Sequence, residues 1–441
     1  MTGNDLDAEV VVVGGGPAGI AAAAEAAAAG STVTLIEAGG QLGGNAVRSN
    51  GYLAFVDEGV EAQDAFVADA EAAFRAVGAA DLVWDASAVW QFAAESAATY
   101  RSLVARGVRF GRAMRRGGHG SKRIRALLNP GALVSAYAPD LAGRSIRCRF
   151  HRRAGRLLVH DGRVAGVCVV TTQGQEPWTV RAARAVVITT GGYQASPELR
   201  ALCLPGQEST SPWYGTADCR GDGHRMGQAV GADLVNMTLV PPTVLVPSTL
   251  VEQSIAVNAA GERFHDETGS FAARVAALRA QPQRRAHYLV TADLVTSQAR
   301  LVDALPAPPI ASHSLAGLAQ ALGVPLQVLE ATLLRWNRFI TSRAQIDPCF
   351  GRSVLPRART PLRWPLLALP MVEGVNMTCG GFRTTAEMQV LDQRGAVIPG
   401  LYAAGDCCAG LMAAASLTGL HISGALTQGR LAGRGAATAS A

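Results

Sequence analysis

Three glycines and one carboxylate carry the clearest chemistry in this chain. Residues 10–37 read VVVVGGGPAGIAAAAEAAAAGSTVTLIE, with Gly14, Gly16 and Gly19 spaced as Gly-x-Gly-x-x-Gly and Glu37 at the far end. Glycines at this spacing permit a tight turn, a close backbone approach to a pyrophosphate, and close packing of helix on strand. A helix N-terminus behind them faces the phosphates, and a carboxylate at Glu37 can accept both hydroxyls of an adenosine ribose. The elements that must position these groups are legible beside them. Val10 to Val13 form a β-branched, fully buried strand, an alanine-rich helix runs to about Ala29, Gly30 stops it, and Thr32 to Ile36 form a second apolar strand. The glycine pattern alone is a weak signal. With strand, helix, strand and acid in place it specifies dinucleotide binding, and a ligand-free glycine turn would leave Glu37 unexplained.

At 441 residues, 49% hydrophobic and 17% charged, the chain can bury two substantial cores. The net charge is +6, and Lys122 is the only lysine, a skew that fits a GC-rich genome better than a nucleic-acid partner. The one basic cluster comprises Arg109, Arg112, Arg115, Arg116, Lys122, Arg123 and Arg125. It lacks aromatic interleaving and any nucleic-acid-binding spacing. With His119 it reads as a solvated face, the alternative being a site for an anionic substrate. Eight scattered cysteines, without a CxxC pair, fit free thiols in a reducing compartment. The adjacent Cys407-Cys408 reads as packed thiols, since neighbouring cysteines form only a strained disulfide. An acidic, polar N-terminus and the lack of an apolar run of about 18 residues outside the nucleotide fold point to a cytoplasmic chain with no membrane span.

Further along, AGGQLGGNAVRSNGY is a glycine-rich loop, and residues 57–145 read mostly helical, interrupted by RAMRRGGHGSKR. GRLLVHDGRVAGVCVVTT reads as a hairpin turning at Asp161-Gly162, and Ala185 to Thr189 as a buried strand. CRGDGHRMGQAVGADLV gives a turn and a short helix. Residues 242–365 are proline-rich and irregular, with one clear helix at Val328–Thr341, and are expected to form an inserted domain between 1–241 and 366–441. The end returns to strand and glycine, then a helix to Gly433, with 436–441 expected to fray.

These segments, in this order, resemble the flavoprotein family of succinate dehydrogenases and fumarate reductases, which includes the 3-ketosteroid dehydrogenases. The resemblance is carried by the first glycine motif, GGNAVRSNGY, AVVITTGGY, GDGHRMGQAVGA, VNAAGERFHDE, TCGGFRT and VIPGLYAAGD. It implies an α/β fold: a Rossmann-like, glutathione-reductase-like FAD-binding domain with an inserted α+β capping domain. It also implies FAD as cofactor. Gly14, Gly16, Pro17, Ala18 and Gly19 would hold the pyrophosphate, and Glu37 with Ala38 the adenosine ribose. Gly43, Gly44, Asn45, Ser49, Asn50 and Gly51 would line the flavin ring, with Ala154, Thr190 and Gly191 toward the adenine. Asp222, Gly405 and Asp406 would reach the sugar and ribityl region, and Leu420, His421 and Ile422 the flavin pyrimidine. Family members with covalent flavin carry a histidine in the loop matching 43–51; none stands there, so the FAD is expected to be non-covalent.

The family's catalytic groups do not carry over. The HPT motif matches Pro241-Pro242-Thr243, the proton-donating arginine (a tyrosine in ketosteroid dehydrogenases) falls on Phe271, HHTMGG matches Asn376 to Gly381, and the arginine of NRLGGN falls on Ser416. Without paired cations, recognition of a dicarboxylate is not expected. Phe271, Met377, Thr378, Cys379 and Ser416 would instead line a less charged substrate pocket. His421 is the first candidate for chemistry, as a cation at the flavin edge where negative charge gathers on reduction. His265, Tyr52 and Tyr214 are candidates to move a proton, while Arg263 and Glu267 read as structural. No metal is expected.

The resulting expectation is an FAD-dependent oxidoreductase of the CH–CH class, moving hydride between flavin N5 and a C–C bond beside a carbonyl of a largely apolar small molecule, with a place in specialised metabolism. Alternatives are a flavin oxidase of C–N or C–O bonds using oxygen, and a catalytically altered FAD-binding protein. The expected partners are a small-molecule substrate and an electron donor or acceptor that the sequence does not identify.

Overall fold

A computed structural model describes residues 6–440 except 79–80, 117, 130, 172–177, 205, 207–209, 242, 304, 343, 357–358 and 415. The chain divides into two compact units, one of residues 1–210, 215–240 and 377–441, the other of 211–214 and 241–376. The expected boundary at 366 falls inside the second unit, because Leu366–Pro370 is an inner strand of its sheet.

The first unit is built on an eight-stranded sheet. Its main path runs Gln389–Leu391, Val397–Ala403, Trp178–Ile188, Leu6–Val13, Val33–Ile36, Ile146–Arg149, and the hairpin of Arg152–His160 and Arg163–Thr171 pairs onto Trp178–Ile188. Leu6–Val13 lies parallel to both neighbours, with Val10 opposite Val33 and Ala185. A parallel inner strand is covered on both faces, which is why its sequence is a continuous valine run rather than an alternation. At the hairpin turn Asp161 and Gly162 both take positive φ, 48° and 75°, the geometry that a two-residue turn of this kind requires. The Pro17–Ala28 helix packs against the final helix, Leu420–Thr438, through small residues. A Cβ on Gly429 would lie 2.2 Å from Ala18 O, and one on Gly433 2.3 Å from Ala22 O. These glycines let the two helices approach backbone to backbone. That final helix continues to Thr438, and Ala436 and Ala437 are buried, so these two are packed rather than frayed, while Thr438 is exposed.

The described part of residues 57–145 contains three helices, Val60–Arg75, Ala86–Ala105 and Ala132–Leu141, but none of the described residues of 106–131 is helical. Within that stretch Ile124–Ala126 pairs with Tyr52–Ala54, a long-range contact that local periodicity does not encode.

The second unit has a four-stranded antiparallel sheet in the order Ile255–Asn258, Ala286–Thr291, Leu366–Pro370, Ile310–Ser312. Alternate residues face opposite ways. Ile255, Val257 and Leu289 pack with Leu329, Leu333 and Trp336 of the Leu326–Thr341 helix. Ala256, Tyr288 and Val290 pack with Val275 and Leu278 of the Phe271–Arg279 helix. At the base of this sheet Glu267 is fully buried between two guanidinium groups. Arg263 donates to both its oxygens at 2.8 Å, Arg352 Nη1 to Oε2 at 2.8 Å, and Ala256 N to Oε1 at 3.0 Å. Burial pushes the Glu267 carboxyl up, but these donors and charges outweigh it and hold the group below its ordinary range. The pairing gives Arg263 and Glu267 the structural place expected of them.

Candidate functional site

The three glycines of the first turn are required for different reasons. Gly14 has φ 108°, and a Cβ there would meet Thr189 O at 2.4 Å. A Cβ on Gly19 would stand 1.8 Å from Gly14 O. Gly16, by contrast, faces open space with nothing within 4 Å. It is also the N-cap of the Pro17–Ala28 helix, with no side-chain cap. Pro17 supplies no N–H, and the first intrahelical bond runs from Ile20 N to Gly16 O at 3.0 Å, so the amides of Ala18 and Gly19 point out of the helix end. Glu37 Oε2 accepts from Gly15 N at 2.7 Å and Oε1 from Gly39 N at 2.6 Å. A carboxylate offers about four acceptor sites, so capacity for ribose hydroxyls remains. Ala38 lies between these two contacts.

Gly43 and Gly44, with φ 111° and 50°, lead into a short 3-10 turn over Gly44–Arg48. Asn45 Oδ1 accepts from Thr216 N at 2.7 Å, and its Nδ2 donates to Cys219 Sγ at 3.5 Å. Ser49 Oγ donates to Ala46 O at 2.8 Å and accepts from Gly51 N at 3.0 Å, closing the loop around Asn50. Ala154 is buried opposite Val169 in the hairpin. Thr190 Oγ1 is buried with no hydrogen-bond partner, and Gly191 takes φ 69° beside Cys219. Asp222 opens the Asp222–Gln228 helix, where its carboxylate is paired with Arg153, which also reaches Asp218 at 2.6 Å. Sequence reasoning missed Arg153 as a partner here. It also missed Gln194, whose amide is buried with neither atom bonded, next to Gly192 and Gly215.

At the start of the final helix Gly419 has φ 86° and no side-chain cap, leaving the amides of Leu420, His421 and Ile422 at a second bare helix end. A Cβ on Gly419 would lie 2.8 Å from Ala54 N. Gly405, with φ 84°, donates its N–H to Gln428 Oε1 at 2.9 Å and carries the chain into Asp406. Asp406 Oδ1 accepts from His421 Nδ1 at 2.9 Å, while His421 Nε2 is buried and without a partner. Cys407 and Cys408 follow as free thiols inside the core.

The basic segment departs from the solvated face expected of it. His119 and Arg123 are buried, because Asp69 of the Val60–Arg75 helix pairs with Arg123 and because His119 bonds Thr418 O at 2.9 Å. Arg116 donates to Tyr52 Oη at 2.5 Å and lies 5.1 Å over its ring. Tyr52 is thus a buried strand residue whose phenol sits beside a cation. Met377 and Cys379 join the same apolar cluster as Tyr52 and Leu239, Thr378 Oγ1 accepts from Tyr193 N at 2.9 Å, and Ser416 is exposed.

In the second unit His265 is buried against Phe264, ring centroids 4.6 Å apart, with Nδ1 bonded to Asp266 O at 2.9 Å and Nε2 unpartnered. Burial pushes its pKa down, leaving a neutral imidazole. Phe271 begins a helix and carries the Arg274 guanidinium over its ring at 4.7 Å. Tyr214 is half-buried, its N–H donating to Val375 O at 3.0 Å. Pro242 lies outside the described residues. Among the described residues no group of three or more His, Cys, Asp or Glu side chains could hold a metal, and no single helix is long and apolar enough to cross a membrane.

Open backbone at Gly16, two uncapped helix ends, a carboxylate at Glu37 and the unbonded Thr190 Oγ1 fit FAD, and together with the sheet order they define a dinucleotide-binding flavoprotein fold. The chain belongs to the FAD binding domain family, whose model matches residues 9–420. FAD is its cofactor. It is similar to a fumarate reductase (cytochrome) from Shewanella frigidimarina, 30% identical over 320 residues, which cover 69% of this chain and 54% of that protein. It thus spans about half the length of that reductase. A urocanate reductase from Eggerthella lenta is 27% identical over 471 aligned residues, covering 99% of this chain and 75% of that one. Among solved structures, the open conformation of a flavocytochrome c3 fumarate reductase superposes with a TM-score of 0.77 at 25% identity, over 99% of this chain and 79% of the other.

Proposed function

We propose that this chain is an FAD-dependent oxidoreductase that moves hydride to or from a carbon–carbon bond beside a carbonyl, on a largely apolar small molecule. The observation that carries the reading is the family match over residues 9–420, with the Gly14–Gly19 turn and Glu37 intact. FAD, when bound, supplies two-electron hydride chemistry. The chain's own residues do the rest. The amides of Ala18 and Gly19 would hold phosphate oxygens, Glu37 would orient the ribose, and the Leu420–Ile422 amides would face the flavin pyrimidine. His421 Nδ1–H donates to Asp406, which would keep its ring beside that edge. Phe271, Ser416 and Asn376 stand where the resembling family places cations or histidines, which favours a substrate with fewer charges than a dicarboxylate. His265, Tyr52 and Tyr214 are the residues proposed to move the proton, and the loop at 43–51 carries no histidine for a covalent flavin link.

Anaerobic mixing of the photoreduced, FAD-loaded protein with α,β-unsaturated carbonyl compounds tests the reading. Return of the oxidised flavin absorbance without oxygen supports it. Flavin that is reduced by an amine or alcohol and reoxidised only by oxygen identifies an oxidase instead. A flavin inert to both classes identifies a binding protein without this activity.

A further inference from the structure

The turn that begins the final helix is held by a hydrogen-bonded chain that runs from the half-buried Asp69 to the buried Arg123 and His119. Asp69 Oδ2 accepts from Gly120 N at 2.7 Å and from Arg123 Nη1. Arg123 is buried, its guanidinium lies 5.6 Å from the Phe66 ring centroid, and Nη1 stands 3.4 Å from His119 Nδ1. A guanidinium only donates, so His119 Nδ1 is the acceptor and the neutral ring carries its proton on Nε2. That Nε2–H donates to Thr418 O at 2.9 Å. Burial, reinforced by Arg123, pushes the His119 pKa down against the Thr418 and Asp69 contributions, which favours the neutral ring. Each link therefore has one direction. The next carbonyl, Gly419 O, accepts from Ala54 N at 3.1 Å. Two successive carbonyls are thus fixed by separate elements, immediately before the amides of Leu420, His421 and Ile422.

Tying a loop to a helix needs no buried charge; an apolar residue would serve without the desolvation cost of Arg123 and His119. What the polar chain adds is a defined hydrogen-bond direction at Thr418. We propose that His119 is a positioning residue: oriented by Asp69 and Arg123, it fixes the Thr418 carbonyl and so sets where the Leu420–Ile422 amides and His421 stand against the flavin. The proposal rests on the reading of this helix end as the pyrimidine side of the cofactor.

The test compares wild type, His119→Ala, His119→Gln and His421→Ala, each reconstituted with FAD. The flavin potential, the FAD dissociation constant and the melting midpoint of the apoprotein are measured. His119→Ala is expected to change the ratio of affinities for reduced and oxidised FAD by about tenfold, equivalent to about 30 mV for a two-electron couple. His119→Gln, whose amide N–H reaches Thr418 O, restores the wild-type potential. A His119→Ala protein with a lower melting midpoint but unmoved potential and FAD affinity overturns the proposal and leaves a structural tie. Should His119→Ala fail to fold, Asp69→Asn must move the potential; an unmoved value overturns the proposal equally. If His421→Ala shifts the potential and His119→Ala does not, the His119 proposal alone fails. If neither variant shifts potential or affinity, the reading of the helix end fails with it.

Discussion

His421 Nδ1 lies 2.9 Å from Asp406 Oδ1, so the imidazole that begins the final helix is oriented by the carboxylate that ends the Val397–Ala403 strand region. The pair joins a hydrogen-bond donor to the residue that the family resemblance places at the ribityl chain. Replacing His421 with Ala leaves Asp406 without this donor and removes the group proposed to favour negative charge on reduced flavin. The expected result is a lower flavin potential, by roughly 20–65 mV for about 1–3 kcal/mol of differential interaction. A redox titration at full FAD loading checks it, and a purely structural histidine would lower the melting midpoint with the potential unmoved.

Gly16 and Gly19 should respond in opposite ways to the same added methyl group. Gly16→Ala places its Cβ in open space and should leave the apoprotein as stable as wild type while weakening FAD binding. Gly19→Ala drives its Cβ into Gly14 O and should destabilise the fold itself. Glu37→Ala should weaken FAD binding by about 1.5–3 kcal/mol per lost charge-assisted bond. Apoprotein melting curves and FAD titrations separate the three, and acid should release the flavin from wild type intact.

Succinate and fumarate should be neither substrates nor tight ligands, despite the similarity to fumarate reductases. Phe271 carries no charge, Ser416 is exposed and uncharged, and Asn376 and Met377 replace histidines of the resembling family. Steady-state assays with a viologen donor check this, and turnover of fumarate above about 1 per second would refute it.

Glu267→Gln should be strongly destabilising. It strips the charge that Arg263 and Arg352 share inside the second unit, leaving Arg352 fully buried without its carboxylate partner. Removing one member of a buried pair costs about 3–5 kcal/mol. Denaturant unfolding, followed by intrinsic tryptophan fluorescence, to which the buried Trp336 of this unit contributes, reads the loss.

Stability should fall as pH drops from about 6.5 toward 4. His224 is fully buried, donates Nε2–H to Gly380 O at 3.0 Å, and has its pKa pushed down to about 4 by burial. Between its unfolded and folded pKa values only the unfolded chain takes up the proton, so this stability is complete above about 6.5 and lost below it. The single site is worth about 3 kcal/mol. Replacing His224 with Gln, which keeps a donor but does not titrate, should flatten the dependence by up to one proton.

The sequence by itself determined the dinucleotide cradle, the hairpin at Asp161-Gly162 and the order of the cofactor segments. Each depends on residues close together in the chain, where a required φ, a close approach or a run of buried valines leaves its mark on residue type. Only the tertiary structure decided which side chains meet. The composition of 109–125 suggested a solvated face, yet Arg123 and His119 are interior because Asp69 and Thr418, far off in sequence, supply a charge and a carbonyl for them. The same holds for Asp406 with His421 and for Arg352 with Glu267. Burial of a charged or polar side chain depends on a partner brought near by the chain's path, and local spacing carries no record of that partner.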